Sequence, residues 1–419
     1  MRRILVLFSV ASLGARGALA EPRALTLAEA VEMARHNAVS VVRAEGTSEN
    51  AAQGVRTARG ALLPTLSLST GSTRQYVPAA VPWSSNLALT TNLLLFDGGR
   101  RFFDLHQARA TRASADVDEG LARWQAVLAA KQAFFDVLAA RETQVAAAAQ
   151  LEQADRQRWV AVERTRAKAA TRSDSLRAEI DVRSAQLEVL VAATDRASAD
   201  AALARAIGSL DPVTAAAADT TDPGLALDES ALIPLVENAP LVQSARGHLD
   251  ADREAEKGSW TAYLPSLSAS WTHSGNGTVG PGEWGANSLD YTGALRLSLN
   301  FTLFDQFRRE SQVVQAGANV RVAEAELRDA RLAARQQLTD GLGGYRTAAQ
   351  RAASLAASVE AAVEDLRVQS ERYAVGGSTL LDVLASQAQL DRARRDLIRA
   401  RYDQRVAKAQ LEALIGRDL

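Results

Sequence analysis

The chain has 419 residues, with 48 Lys and Arg against 49 Asp and Glu, a formal net charge of −1 and no cysteine. That balance carries no electrostatic footprint for a nucleic-acid partner, and the missing thiols exclude disulfides, thiolate metal sites and a lipid-bearing N-terminal cysteine. No stretch beyond the N-terminus reaches the ~18 uninterrupted apolar residues of a membrane helix, so any contact with a bilayer must be made with strands.

Residues 1–20 read as a cleaved secretory signal: Arg2 and Arg3 precede an apolar run from Ile4 to Leu13, and Ala18-Leu19-Ala20 stands before Glu21. The rest says nearly the same thing twice. Phe96-Asp97, Asp174 and Ile207-Gly208 recur at one constant spacing as Phe304-Asp305, Asp382 and Ile415-Gly416, and Leu63-Pro64 is echoed by Leu264-Pro265. This divides the chain into a first repeat over 21–208, a linker over 209–224 rich in Asp, Thr, Pro and Ala, and a second repeat over 225–416.

Each repeat opens with short helices. Thr26 and Glu29 have capping-box spacing before a helix to Asn37, and a second helix runs to about Ala61 and stops ahead of Pro64. The second copy repeats this from Leu227 to Asn238 and from Pro240, a residue suited to a first helical position, to about Tyr263. After each Leu-Pro the period changes from 3.6 to 2, which predicts strand pairs over about 64–96 and 265–304. The clearest strand sets Leu295, Leu297, Leu299, Phe301 and Leu303 on one face and Arg296, Ser298, Asn300 and Thr302 on the other. Such a strand fits a soluble sheet, which the strand pattern alone favours, and also a barrel with lipid outside and water inside. The second hairpin is seven residues the longer, and its tip, Gly275 to Gly282, matches a dinucleotide-binding spacing but has Pro281-Gly282 where a helix should start, so it reads as a flexible loop. Trp83 and Trp284 sit in corresponding loops as candidate membrane-interface residues.

Two proline-free segments follow, from about Gly99 to Arg164 and from about Gln306 to Tyr373. Helices of about 65 residues would be ~100 Å long at 1.5 Å per residue and must project as rods. Leu338, Tyr345, Ala352, Val359, Leu366 and Tyr373 recur every seventh position, with Leu342, Leu355 and Ala362 or Val363 in the alternate seam, a left-handed coiled-coil pattern interrupted by Gly341, Gly343 and Gly344. Short connections, Ala167 to Thr171 and Ala374 to Thr379, lead to returning helices that end at Gly208 and Gly416. Asp97 and Asp305, each at the start of a long helix, read as helix caps.

The chain has no Walker lysine motif, nucleophile elbow or zinc-protease motif, and its four histidines are scattered, so neither an enzyme nor a metal or other cofactor is expected. The fold class is mainly α with a small antiparallel β part, built as two helix–strand–strand–helix–helix repeats. Four strands cannot close a membrane barrel, so a barrel requires several copies; eight strands from two or twelve from three are both permitted. The alternative on the residues alone is a soluble periplasmic coiled-coil adaptor or scaffold whose strands form a small closed domain.

The chain resembles the TolC family of outer-membrane efflux channels over essentially its whole mature length. The resemblance is carried by Leu25-Thr26-Leu27-Ala28-Glu29-Ala30, Asn238-Ala239-Pro240-Leu241, both Leu-Pro junctions, Leu303-Phe304-Asp305, and above all Arg372 to Leu384 with its partner Arg164 to Leu176. It implies a homotrimer in the outer membrane of a Gram-negative bacterium, with a twelve-stranded β-barrel and a large periplasmic α-barrel of coiled helices. It also implies a passive exit duct of a tripartite efflux or type I secretion system, receiving substrate from an inner-membrane pump through a periplasmic adaptor. Tyr373, Asp382 and Asp174 then fall at the inner constriction, where symmetry-related carboxylates would favour cations. A capping role for Asp382 on its returning helix is the competing assignment. Arg166, Lys168, Thr171 and Arg172 of the first connection, and Val375, Gly376, Gly377 and Ser378 of the second, fall at the adaptor-docking tips. Ser378 stands where a family latch uses arginine, so that latch is not expected here. Arg296, Ser298, Asn300 and Thr302 are the expected lumen-facing residues.

Overall fold

A computed structural model describes residues 22–74, 83–216, 229–280 and 288–419; the signal segment 1–20 and Trp284 lie outside them. After a short strand β1 (Arg23–Leu25), helix α1 (Leu27–Asn37) starts on two reciprocal bonds: Glu29 N donates to Thr26 Oγ1 at 3.2 Å and Thr26 N donates to Glu29 Oε2 at 2.8 Å. Helix α2 (Val39–Gly60) stops short of Pro64 and leads to strands β2 (Thr65–Thr73) and β3 (Ser84–Phe96). Two helices, α3 (Arg100–Arg166) and α4 (Arg172–Ile207), follow, then strand β4 (Val213–Ala215). The second half runs α5 (Glu229–Val236), α6 (Pro240–Ser259), a 3-10 turn at Trp260–Tyr263, strands β5 (Ser266–Gly277) and β6 (Asp290–Asn300), α7 (Arg308–Ala374) and α8 (Leu380–Ile415).

The two compact units do not coincide with the two repeats. One takes the described parts of Met1–Ala38, Ala126–Gly224 and Tyr345–Ala409, the other those of Val39–Gln125, Leu225–Gly344 and Gln410–Leu419. Both draw on both repeats: α3 and α7 each give one stretch to one unit and the remaining stretch to the other.

In the first unit, Leu25, Phe134, Val137, Leu203, Ile207 and Val213 pack into one buried cluster. This explains a departure from the sequence reading: residues 209–224 include β4, which pairs in parallel with β1 from Arg23–Val213 to Leu25–Ala215. Burial of Leu25, Val213 and Ala215 in that cluster holds the pair, and three-residue strands leave too short a period-two trace to be seen in a sequence. The coiled-coil seam on α7 faces inward, with Leu338, Leu342, Tyr345 and Ala362 all buried. At the ambiguous seam position Ala362 is inside and Val363 is 44% exposed. The glycines do not break α7, and Gly341 makes room for Leu411, whose Cδ2 would stand 2.7 Å from an added Cβ.

The second unit contains an antiparallel sheet of order β2-β3-β5-β6, in which the β3–β5 pairing joins the two repeats. Paired residues share a face, so the register sorts the side chains. Leu66 and Leu68 of β2, Leu89 and Leu93 of β3, Ala269 and Trp271 of β5, and Leu295, Leu297 and Leu299 of β6 all fall on one side. The other side carries Ser67, Thr90, Asn92, Ser268, Ser270, Arg296, Ser298 and Asn300, interrupted by Leu94. A bulge between Leu94 and Phe96 returns Phe96 to the apolar face, opposite Leu267. Two expectations are corrected here. Strand β6 ends at Asn300, so Thr302 lies beyond it: the last pair is Ser266–Asn300, and the preceding Pro265 has no N–H to extend the ladder. Gly275 and Gly277, read as loop, belong to β5; a Cβ on Gly275 would stand 2.7 Å from the Tyr291 ring, so the glycine serves close packing.

Matching junctions join the sheet to the long helices. Asp97 accepts from Gly99 N and Arg101 N, both at 3.1 Å, and from Arg101 Nε at 2.9 Å. Asp305 accepts from Arg309 N at 3.1 Å, and Arg309 Nε lies 3.0 Å from it without hydrogen-bond alignment, as an ion pair. Both junctions need two residues at positive φ. The first uses Gly98 and Gly99 (φ 71° and 85°); the second uses Gln306 and Phe307 (φ 60° and 64°), where a side chain costs about 1–3 kcal/mol each. Gln306→Gly should therefore raise the thermal midpoint of the detergent-solubilised protein. Gly98→Ala should lower it, since its Cβ would stand 2.7 Å from Leu264 Cβ; calorimetry showing no difference between the two variants would contradict the strain argument.

Candidate functional site

The two helix–helix connections in the first unit share one backbone design. Helix α3 ends on Lys168 at φ 60° and α7 on Gly376 at φ 82°. Ala169 N donates to Arg164 O at 2.8 Å and Gly377 N to Arg372 O at 2.7 Å, the six-to-one bond of a left-handed helix stop. Each returning helix then starts on a capping box. Thr171 N donates to Asp174 Oδ2 at 2.9 Å and Asp174 N donates back to Thr171 Oγ1 at 3.2 Å; for Thr379 and Asp382 the distances are 2.8 and 3.3 Å. Asp382 therefore caps its helix, and Asp174 does the same. Both carboxyls are held below the ordinary aspartate range, first by the bond from the backbone N–H of the capping threonine and next by its hydroxyl.

The tips differ in their side chains. Arg166, Lys168, Thr171 and Arg172 are exposed on the first, with Arg166 bonded to Glu163 at 2.6 Å. Val375, Gly376 and Gly377 are exposed on the second, Val375 at 85%. Ser378 is half-buried and donates to Gln369 O at 3.1 Å, which closes its own turn.

Sequence reasoning missed Arg164. Its Nη1 donates to Tyr373 O at 2.5 Å and its guanidinium lies 4.3 Å from the Tyr373 ring centroid, a cation–π contact that ties the end of α3 to the end of α7. Its repeat counterpart Arg372 instead bonds Gly377 O in its own tip at 3.3 Å. The signal was present, since both arginines occupy the same place in the repeat, but which of them reaches across depends on packing. Ala161, Ala178 and Leu380 are buried beneath this contact, with Tyr373 and Leu384 against them. Burial pushes the Tyr373 hydroxyl up, with Arg164 opposing and Asp174 assisting, so it remains a neutral donor.

Farther along α8 sits a buried carboxylate. Gln387 Nε2 donates to both Asp391 oxygens at 2.9 and 3.0 Å, and both residues are buried. Burial raises the Asp391 pKa, against lowering by Gln387, Arg394 and Arg395; Asp181 on α4 is raised by burial and by Asp391. Among the described residues no cluster of three or more His, Cys, Asp or Glu could hold a metal ion, and no helix is long and apolar enough to cross a membrane.

A family profile described as "Outer membrane efflux protein" matches residues 30–209 and 234–417. Protein CyaE of Bordetella pertussis is 28% identical over 326 residues, which cover 74% of this chain but only 66% of that relative. Among solved structures, the outer membrane protein VceC of Vibrio cholerae superposes with a TM-score of 0.75 at 18% identity, covering 94% of this chain and 96% of that one. The Campylobacter jejuni CmeC outer membrane channel gives 0.79 at 17% identity, over 93% and 85%. At these identities the structures establish the fold.

Two pH responses follow from the carboxyl groups. A carboxyl with a lowered pKa contributes stability that is present above its unfolded value and lost as pH falls through the folded one. Backbone amides of residues 379–383 should thus lose hydrogen-exchange protection below about pH 4, and Asp382→Asn should already show the reduced protection at neutral pH. Asp391 has the opposite sign, because a raised pKa costs stability once the group ionises. Asp391→Asn should raise the thermal midpoint more at pH 8 than at about pH 3, below the ordinary aspartate value, where the carboxyl is protonated in both states; an equal shift at both would show that the Asp391 charge carries no cost.

Proposed function

The chain belongs to the outer membrane efflux protein family, and on that premise we propose that it is a passive exit duct, a homotrimer that carries substrate from an inner-membrane pump to the exterior through a periplasmic adaptor. It is an outer-membrane protein with a large periplasmic helical portion, and its fold is that of channels rather than enzymes. The alternative of a soluble periplasmic scaffold gives way to the family match.

The observation that carries the reading is the open sheet. Its apolar face exposes Leu66, Leu68, Leu295, Leu297 and Leu299 at 63–72%, far more than a face packed on a soluble core. Lipid satisfies that face but not the free N–H and C=O groups along the edges β2 and β6, so the edges must meet other copies. Three copies supply twelve strands. The polar face, with Arg296, Ser298 and Asn300, then lines the lumen, and Thr302 follows at its inner rim. Trp271, His273 and Tyr291 stack at 6.0 and 5.5 Å on the lipid side and suit a membrane-interface belt.

Tyr373, Asp382 and Asp174 form the inner constriction in this reading, and Arg164 replaces the arginine latch that Ser378 cannot provide. The adaptor meets a cationic first tip (Arg166, Lys168, Thr171, Arg172) and a small apolar second tip (Val375, Gly376, Gly377). In planar bilayers the protein should form discrete ion channels. Tyr373→Phe combined with Asp382→Ala should raise single-channel conductance and weaken block by trivalent cations, and Arg164→Gln should raise conductance alone. Unchanged conductance and block in all of these would remove the gate assignment, and absence of any channel would remove the duct.

A further inference from the structure

A cleft of about 640 Å³ opens between the last turns of α3 and α7 and the first turn of α8, within the range of small-molecule sites. Val160, Leu380 and Val383 give it an apolar wall. Gln157 and Tyr373 both line it, and the Gln157 Nε2 and Oε1 and the Tyr373 hydroxyl are buried behind that lining and, among the described residues, without a hydrogen-bond partner. Leaving such groups unpaired costs free energy, so three unpartnered polar atoms on two residues of one cleft form an unusual concentration.

Charge points the same way. Arg164 is half-buried at the cleft, and its contacts are the Tyr373 carbonyl and ring, with no carboxylate within 4.0 Å among the described residues. Asp174 acts on it only through space. The other guanidinium on the wall, Arg156, is already paired with Glu152 and bonded to Gln153 at 2.9 Å. Gln157 Nε2, the Tyr373 hydroxyl and Arg164 are donors, while Gln157 Oε1 is an acceptor. What the cleft lacks is chiefly an acceptor, and the uncompensated cation favours an anionic one.

We propose that the cleft binds an amphiphilic monocarboxylate, with its head on Arg164, the Tyr373 hydroxyl and the Gln157 amide and its tail along Val160, Leu380 and Val383. The proposal goes beyond the duct reading and is independent of conduction, because binding is measured directly and conductance in parallel.

Octanoate, kept below its micellar concentration, would be titrated by calorimetry into the full-length protein in lipid nanodiscs, with empty nanodiscs subtracted. Saturable binding of one octanoate per chain is expected. Neutral octanamide should bind at least tenfold more weakly, and Arg164→Gln should weaken octanoate at least tenfold. Val160→Trp, which fills the cleft at a partly exposed helix position and leaves Arg164 in place, should abolish binding. No saturable octanoate binding, equal affinity for octanamide, or affinity unchanged in either variant would overturn the proposal. Normal channels alongside any of those results would leave the duct reading standing.

Discussion

A four-stranded sheet with one leucine-covered face and two bare edges is stable neither alone in water nor alone in a bilayer. Water penalises the face, and lipid penalises the edges. Everything else in the chain is arranged around that constraint. The β3–β5 pairing fuses the two repeats into one sheet, so each chain brings a single four-stranded panel rather than two separate hairpins. The Asp97–Arg101 and Asp305–Arg309 junctions then join β3 and β6 to the long helices α3 and α7. Oligomerisation is thus a requirement of the strands before it is a property of the helices.

The duplicated architecture makes the differences between copies informative. At the sheet–helix junctions the first copy uses glycines for its left-handed pair, while the second tolerates Gln306 and Phe307. At the tips the pattern reverses, with Lys168 in the first and Gly376 in the second. Backbone geometry is kept in both places and the strain is placed in opposite copies. A non-glycine residue at such a position keeps a side chain where backbone ease would favour none. At Lys168 that side chain is an exposed cation, consistent with contact to a partner.

The tips also show how one motif serves two tasks. The Asp174 and Asp382 carboxylates stabilise helix starts through Thr171 and Thr379, and the same geometry fixes where those charges stand. Arg164 and Arg372 begin as equivalents and diverge: one braces its own turn, and the other reaches to a second helix and gathers Tyr373 beside a cleft. Capping is local chemistry and repeats faithfully, whereas bridging depends on which helix lies alongside.

The repeat, the helix-to-strand change at each Leu-Pro, the rods, the α7 seam and the capping threonine at Thr26 were all legible in the sequence. Each rests on interactions within a few residues or on a period that a linear chain displays. The capping role weighed for Asp382 was legible for the same reason, as was the alternation that set Leu295 opposite Arg296. What only the tertiary structure decided is nonlocal. Pairing of β1 with β4, the β3–β5 register that gathers the strands' leucines, Leu94 excepted, on one face, the choice of Ala362 over Val363, and the Arg164–Tyr373 contact all join residues far apart in the chain. Hydrophobic pattern says that a face must be covered, but the partner that covers it is selected by the packing of the whole fold.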